Sequence, residues 1–245
     1  MTTMLIPRVI HYIWLGTKTM HPLMDEWRKR WAELHPGWEV KVWREDAELP
    51  ASMLVCDGEI VECRHPRFLA KCPTYAKRSD VWRYDLLEQK GGVYLDTDFE
   101  PVKCIEPLVE NESAFAGMCN TRYGWTVDNP VGLVRTEVGC SIIGVVPHHP
   151  WMRDLVEHVP EQDPVEQLSL AFPYITSSVA RHQGIRLFAP DVFYPVTWDH
   201  YALGGRQSLR TARKLGEVLP AETYAVHRWS SNWFAEGLRP REVTA

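Results

Sequence analysis

The stretch Gly91-Gly92-Val93-Tyr94-Leu95-Asp96-Thr97-Asp98-Phe99-Glu100 constrains this chain more than any other. Two glycines end the helix that precedes them, an apolar run reads as a strand, and two carboxylates one residue apart close it. Side chains alternate along a strand, which predicts Tyr94, Asp96 and Asp98 on one face and Val93, Leu95 and Thr97 on the other. Hard divalent cations take oxygen ligands, and Mg²⁺ or Mn²⁺ is typically held by one or two carboxylates together with substrate phosphates. Ligands of open α/β sheets bind at the carboxyl ends of strands, where this pair falls. An isolated Asp-x-Asp also occurs as two solvated residues at a strand end, so the flanking sequence has to decide.

Upstream, Ile6–Gly16 reads as a buried first strand, with Ile10, Tyr12 and Trp14 on one side and His11 and Ile13 on the other. Leu23, Trp27, Trp31 and Leu34 give 22–34 a helical apolar face, ended by His35-Pro36-Gly37, and Trp38–Trp43 alternates as a second strand. Strand, helix, strand in that order predicts an α/β fold with a mainly parallel central sheet. Residues 44–72 mix charges with Gly58 and Pro66 and read as a short helix and loops. Thr74–Lys90 reads as a strong helix stopped by Gly91, with Asp80, Arg83, Tyr84 and Leu87 on one face. In isolation Asp80 and Arg83 would be a surface ion pair worth tenths of a kcal/mol.

Downstream the reading gives a short strand at 113–119, a loop over 120–132, an apolar strand at 141–146 and a helix at 151–159. A helix follows over 173–181, a strand at 185–188, an ordered loop at 191–195 and a last strand at 224–227. No linker or repeat interrupts the chain, so 1–245 is expected to be one domain, with 239–245 a frayed tail.

Composition narrows the function. A net charge of −5 argues against non-specific nucleic-acid binding, and no run approaches the length of a membrane span. The first residues lack the basic and apolar regions of a secretory signal, and the six cysteines form no C-x-x-C pair. Reduced thiols and a cytoplasmic location are therefore expected.

Taken together, the motifs resemble the glycosyltransferases with a DXD sugar-binding region, a family that includes yeast-type initiation-specific mannosyltransferases, bacterial capsule enzymes and, distantly, the large clostridial glucosylating toxins. The matching pieces are Ile6-Pro7-Arg8-Val9-Ile10-His11-x-Ile13-Trp14, Pro36-Gly37-Trp38-Glu39-Val40, Ser79-Asp80-x-x-Arg83-Tyr84 and Gly91-Gly92-Val93-Tyr94-Leu95-Asp96-x-Asp98. They continue through Ile142-Ile143-Gly144, His149-Pro150 and Phe193-Tyr194-Pro195 to Ala225-Val226-His227-x-Trp229-x-x-x-Trp233. Each is weak alone; the ordered set is specific.

The resemblance implies a GT-A, Rossmann-like fold and a metal-dependent transfer of a sugar from a UDP- or GDP-linked donor, with retention of configuration. The implied acceptor is a glycan, a lipid-linked sugar or a small molecule. By family role Trp14 borders the base, Asp80, Arg83 and Tyr94 hold the donor sugar, and Asp96 contacts ribose, sugar and metal shell. Asp98 and His227 are metal ligands for Mn²⁺ or Mg²⁺, and Ser231 and Trp233 close over the diphosphate. Thr176-Ser177-Ser178 stands where many relatives have Thr-Gly-Pro, and Cys140 or Ser141 where many have Asn, so the acceptor side departs from the pattern.

Two other classes compete. A haloacid-dehalogenase-like phosphohydrolase also ends a strand in Asp-x-Asp, but on its first strand and with Thr or Val where this chain has Glu100. A non-catalytic sugar-nucleotide-binding protein would keep the same donor-side residues. Arg206, Arg210, Arg213 and Lys214 share a face if 207–218 is helical, which offers either a solvated basic face or peripheral contact with an anionic membrane carrying the acceptor.

Overall fold

The chain starts with β1 (Val9–Ile13), α1 (Pro22–Leu34) and β2 (Glu39–Trp43), and β1 and β2 pair in parallel as the strand–helix–strand pattern predicts. The structure is a computed structural model, and it describes residues 5–123, 133–166, 170–197 and 219–229. Next comes a hairpin of β3 (Met53–Cys56) and β4 (Glu59–Glu62), then the single turn α2 (Pro66–Leu69). The hairpin corrects the reading of 44–72 as a short helix and loops. Its two-residue connection is Asp57-Gly58, both left-handed with φ of 49° and 81°, the backbone that an Asp-Gly turn between alternating strands favours.

The central helix α3 (Tyr75–Lys90) is capped by Thr74, whose side chain accepts from the Lys77 N–H, and ends at Gly91. It is buried on nearly every side, polar residues included, because each of those residues meets a partner. Lys77 Nζ donates to the Glu166 carbonyl at 2.7 Å and Arg78 Nε to that of Cys72 at 3.3 Å. Asp85 accepts the Arg64 N–H at 3.3 Å, and Glu88 faces His148 at 3.2 Å.

After α3 run β5 (Gly92–Leu95), β6 (Phe99–Pro101), α4 (Glu106–Val109), β7 (Ala114–Tyr123) and β8 (Leu133–Val145). Gly92, at φ 89°, lies where a Cβ would come within 2.7 Å of His11 Nε2 and 2.9 Å of the Val9 carbonyl, so only glycine lets β5 close on β1 there. The chain continues through α5 (Pro150–His158), α6 (Phe172–Val179), β9 (Arg186–Phe188), the one-turn α7 (Pro190–Phe193) and β10 (Ala225–His227). Two expectations shift: 191–195 holds a helical turn instead of a loop, and 120–123 continues β7. The expected last strand, β10, pairs with β6 outside the main sheet.

The six-stranded sheet has the order β2-β1-β5-β8-β7-β9, and β8 alone in it runs against the others. One face carries the core of α3, α5 and α6, with Trp82, Leu86, Trp151 and Ile175. The other carries α1, α4 and α7 with the β6–β10 ribbon, around Trp31, Phe99, Phe193 and Tyr194. All six cysteines are free thiols. Among the described residues no helix is long and apolar enough to cross a membrane.

Candidate metal and donor site

β5 ends at Leu95, and the chain then turns, with the Phe99 N–H donating to the Asp96 carbonyl at 3.2 Å. Asp96 and Asp98 therefore meet through a tight turn, which corrects the expectation that strand alternation aligns them. The Asp96 N–H donates to the Ser141 carbonyl at 2.9 Å and pins this turn to β8.

Beyond the turn, β6 pairs antiparallel with β10, with Phe99 opposite His227, and the Arg228 N–H donates to the Asp98 carbonyl at 3.0 Å. This ladder carries His227 to the aspartates. Its Nε2 lies 3.1 Å from Asp98 Oδ1 and 3.8 Å from Asp96 Oδ2. One ligand atom each from Asp96, Asp98 and His227 falls within 4.8 Å of the other two. Two carboxylate oxygens and an imidazole nitrogen, half-buried or buried, fit a divalent cation such as Mn²⁺ or Mg²⁺.

The helix face foreseen on α3 reaches the same place. Arg83 Nη2 pairs with the Asp80 carboxylate and lies 3.4 Å from Asp96 Oδ1, while Nη1 donates to the Cys140 carbonyl at 2.5 Å. Its guanidinium carbon sits 4.7 Å from the Tyr94 ring centre, and the Tyr94 hydroxyl donates to Asp96 Oδ1 at 2.6 Å. One Asp96 oxygen is thus held by Tyr94 and Arg83, and the other faces His227. The Asp80–Arg83 ion pair exists, but it is buried and not a surface pair: the Arg83 side chain is 3% exposed. Burial pushes the Asp80 carboxyl up to about 6 although Arg83 pulls the other way, and burial drives the Tyr94 phenol well above its usual value.

Trp14 sits just past the end of β1, at the carboxyl edge it shares with β5. Its ring packs with Met24 and Trp27, and its Nε1 donates to the Lys18 carbonyl at 2.7 Å. Ser231, Trp233, Arg206, Arg210, Arg213, Lys214 and the tail 239–245 lie outside the described residues.

One departure from the family pattern, at Cys140 and Ser141, falls on a wide bulge. Between Ala116 opposite Ile143 and Met118 opposite Val138, residues 139–142 of β8 lie against Gly117 alone. The bulge turns the Cys140 carbonyl to Arg83 and the Ser141 carbonyl to Asp96, and Thr176 Oγ1 accepts the Val138 N–H beside it at 2.9 Å. Tyr194 fills the slot on the other side. A Cβ on Gly139 would collide with its hydroxyl, and one on Gly117 would come within 2.8 Å of its ring. Tyr194 then meets His227 edge-on, ring centres 5.6 Å apart. The sequence signal for Tyr194 was its place in Phe193-Tyr194-Pro195; nothing there revealed that it stands under His227.

Comparison with known proteins gives the following similarities. Residues 23–115 match the model of the glycosyltransferase sugar-binding region containing a DXD motif. Asp80, Arg83, Tyr94, Asp96 and Asp98 fall inside the matched stretch, and His227 lies outside it. The chain is 25% identical over 180 residues to inositol phosphoceramide mannosyltransferase 3 of Schizosaccharomyces pombe, covering 70% of this chain and 41% of that protein. It is 25% identical over 229 residues to the mannosyl phosphorylinositol ceramide synthase SUR1 of Saccharomyces cerevisiae, covering 92% of this chain and 49% of that protein. The chain thus spans about half the length, or less, of these curated relatives. Among solved structures it is similar to the PaToxG glycosyltransferase, with a TM-score of 0.46, 18% identity and coverage of 72% and 69% of the two chains.

Proposed function

We propose that residues 1–245 form one GT-A-type catalytic domain that transfers a hexosyl group from a nucleoside diphosphate sugar to a hydroxyl acceptor, with retention, using Mn²⁺ or Mg²⁺. The observation that carries this reading is the convergence of Asp96, Asp98 and His227 within 4.8 Å at the carboxyl edge of β5. A divalent cation there would neutralise the charge that a diphosphate leaving group gathers as the glycosidic bond breaks. Asp98 and His227 would hold it directly, with Asp96 oriented by Tyr94 and Arg83 so that one oxygen faces it.

Arg83 keeps Asp80 and Asp96 apart and charge-balanced, and Asp80 presents a carboxylate to sugar hydroxyls. In this reading Trp14 borders the base, and Ser231 and Trp233 close over the diphosphate. The acceptor is a glycan, a lipid-linked sugar or a small molecule, and the mannosyltransferase names of the yeast relatives make a mannosyl donor the first to try. A cytoplasmic chain with peripheral contact to an acceptor-bearing membrane completes the proposal. Against a phosphohydrolase stands the position of the Asp pair, after β5 and not after β1.

The test is a panel of UDP- and GDP-sugars scored for sugar release, transfer and thermal stabilisation, with and without Mn²⁺. One donor should stabilise the chain only when the metal is present and be slowly hydrolysed. Stabilisation with neither hydrolysis nor transfer would leave a binding protein instead; no response to any donor would refute the reading.

A further inference from the structure

A histidine that binds a metal is normally steered by a hydrogen bond from its second ring nitrogen to a carboxylate or carbonyl. His227 departs from that pattern. Its Nδ1 is buried and finds no hydrogen-bond partner among the described residues. Besides the Asp98 contact on Nε2, packing holds the ring, and three aromatic rings supply it. Phe99 lies 5.0 Å from the imidazole centre, Tyr194 5.6 Å and Trp229 4.2 Å, the last edge-on at 71°.

Trp229 is the closest of the three, and its backbone is unusual. Its φ is 46°, a left-handed conformation that a bulky side chain adopts at a cost and keeps only where its surroundings over-determine it. Residues two apart on an extended strand hold their side chains about 6.5 Å apart. The left-handed turn after Arg228 folds the indole down onto His227 instead. The indole Nε1 then donates to the Val196 carbonyl at 2.7 Å, and the ring meets Tyr194 at 6.0 Å and Phe172 at 6.2 Å.

We infer that Trp229 is a positioning residue: its strained backbone and indole ring lock the His227 imidazole with Nε2 toward Asp98, in place of a hydrogen bond to Nδ1. The inference rests on the metal reading of Asp96, Asp98 and His227 for its consequence, but the locked ring itself does not need the ion.

Two variants separate ring from backbone. Trp229→Gly tolerates the left-handed turn and loses the ring; Trp229→Phe keeps a ring and loses the bond to Val196. The purified full chain is titrated with Mn²⁺ alone, and free ion is read by electron paramagnetic resonance. Trp229→Gly should bind Mn²⁺ about tenfold more weakly, the lower end of what removing an outer support of a ligand histidine costs. Trp229→Phe should recover most of that affinity. Wild-type affinity in Trp229→Gly, or a Phe variant as weak as the Gly variant, overturns the inference.

A metal-free measurement guards against a variant that fails to fold and against a wild-type chain that takes no Mn²⁺. The Cε1–H signal of His227, assigned by its loss in His227→Ala, should sit in the indole's ring-current field in the wild-type chain. In Trp229→Phe it should move toward the free-imidazole position while keeping its cross-relaxation to Phe99 and Tyr194. A His227 signal without contact to Trp229 in the wild-type chain overturns the positioning role, whatever the metal does. A wild-type chain that shows the contact but takes no Mn²⁺ refutes the metal reading alone.

Discussion

At Asp98 a single carboxylate stands between His227 and the turn that carries it, so its removal takes away the proposed oxygen ligand and the partner of His227 Nε2. Asp98→Ala is expected to abolish Mn²⁺ binding and to reduce transfer by at least about 100-fold, measured by titration and product formation. Arg83 is a different case. The guanidinium is nearly sealed and holds Asp80, Asp96 and the Cys140 carbonyl at once. A lysine keeps the charge and loses the fork, leaving buried acceptors unpaired at about 1–3 kcal/mol. Both the denaturant midpoint and turnover should fall. Asp80→Asn should separate the two, because the amide keeps the size of the carboxyl and Arg83 retains Asp96 and the Cys140 carbonyl as partners. Turnover should fall well beyond any change in midpoint; equal losses would make Asp80 a structural residue.

The elements show where the sequence was legible and where it was not. α3 could be read because Thr74 and Gly91 mark its ends, and β1, α1 and β2 because their periodicities change in order. The residues of the cluster were legible as types, but the device that joins them was not. Strand alternation was invoked for Asp96 and Asp98, whereas a turn and a three-residue ladder to β10 do the work. The β3–β4 hairpin was missed although Asp57-Gly58 announced it, because the charges around it masked the alternation. The bulge at 139–142 had no local signal; its two key groups are main-chain carbonyls, which any residue provides. It does leave one mark, a glycine that cannot change. Gly139→Ala would push its methyl into the Tyr194 hydroxyl. Overpacking of this kind costs about 1–3 kcal/mol, and Mn²⁺ affinity should fall with it as Tyr194 shifts against His227. Wild-type affinity in a destabilised Gly139→Ala chain would uncouple the bulge from the metal ligand.

Across the whole molecule two buried groups tilt stability in opposite directions. Burial lowers the His11 imidazole to about 4, where Trp43 Nε1 donates to Nδ1 and Nε2 faces the Gly91 carbonyl. The unfolded chain therefore binds the extra proton between about 6.5 and 4, and this contribution is lost as pH falls through that window, by on the order of 3 kcal/mol. Burial raises Asp85 to about 7. Here the folded chain holds the extra proton between roughly 4 and 7, so stability is lost as pH rises through that window, by a similar amount. Asp80, raised to about 6, adds a slope in the same sense as Asp85, so unfolding midpoints of the wild-type chain should fall as pH rises from 4.5 to 6.5. Asp85→Asn keeps the acceptor for the Arg64 N–H and removes one of the two falling slopes, so its midpoint should change little over that range. A variant midpoint that falls as steeply as that of the wild-type chain would show that Asp85 does not titrate there.

The β6–β10 ribbon has a consequence for how such a chain is made. It joins segments far apart in sequence, Arg228 binding Glu100 across 128 residues. A chain growing from its N-terminus carries both aspartates, Tyr94 and Arg83 long before the ribosome reaches His227. Closing so large a loop comes late and is slow compared with the local pairings around β1, α3 and β5. Until β10 is added, the nascent polypeptide displays a carboxylate turn without His227. In the proposed function a half-translated copy would thus draw nothing from the cell's pool of activated sugar, and the order of synthesis would itself act as a timer on the chemistry.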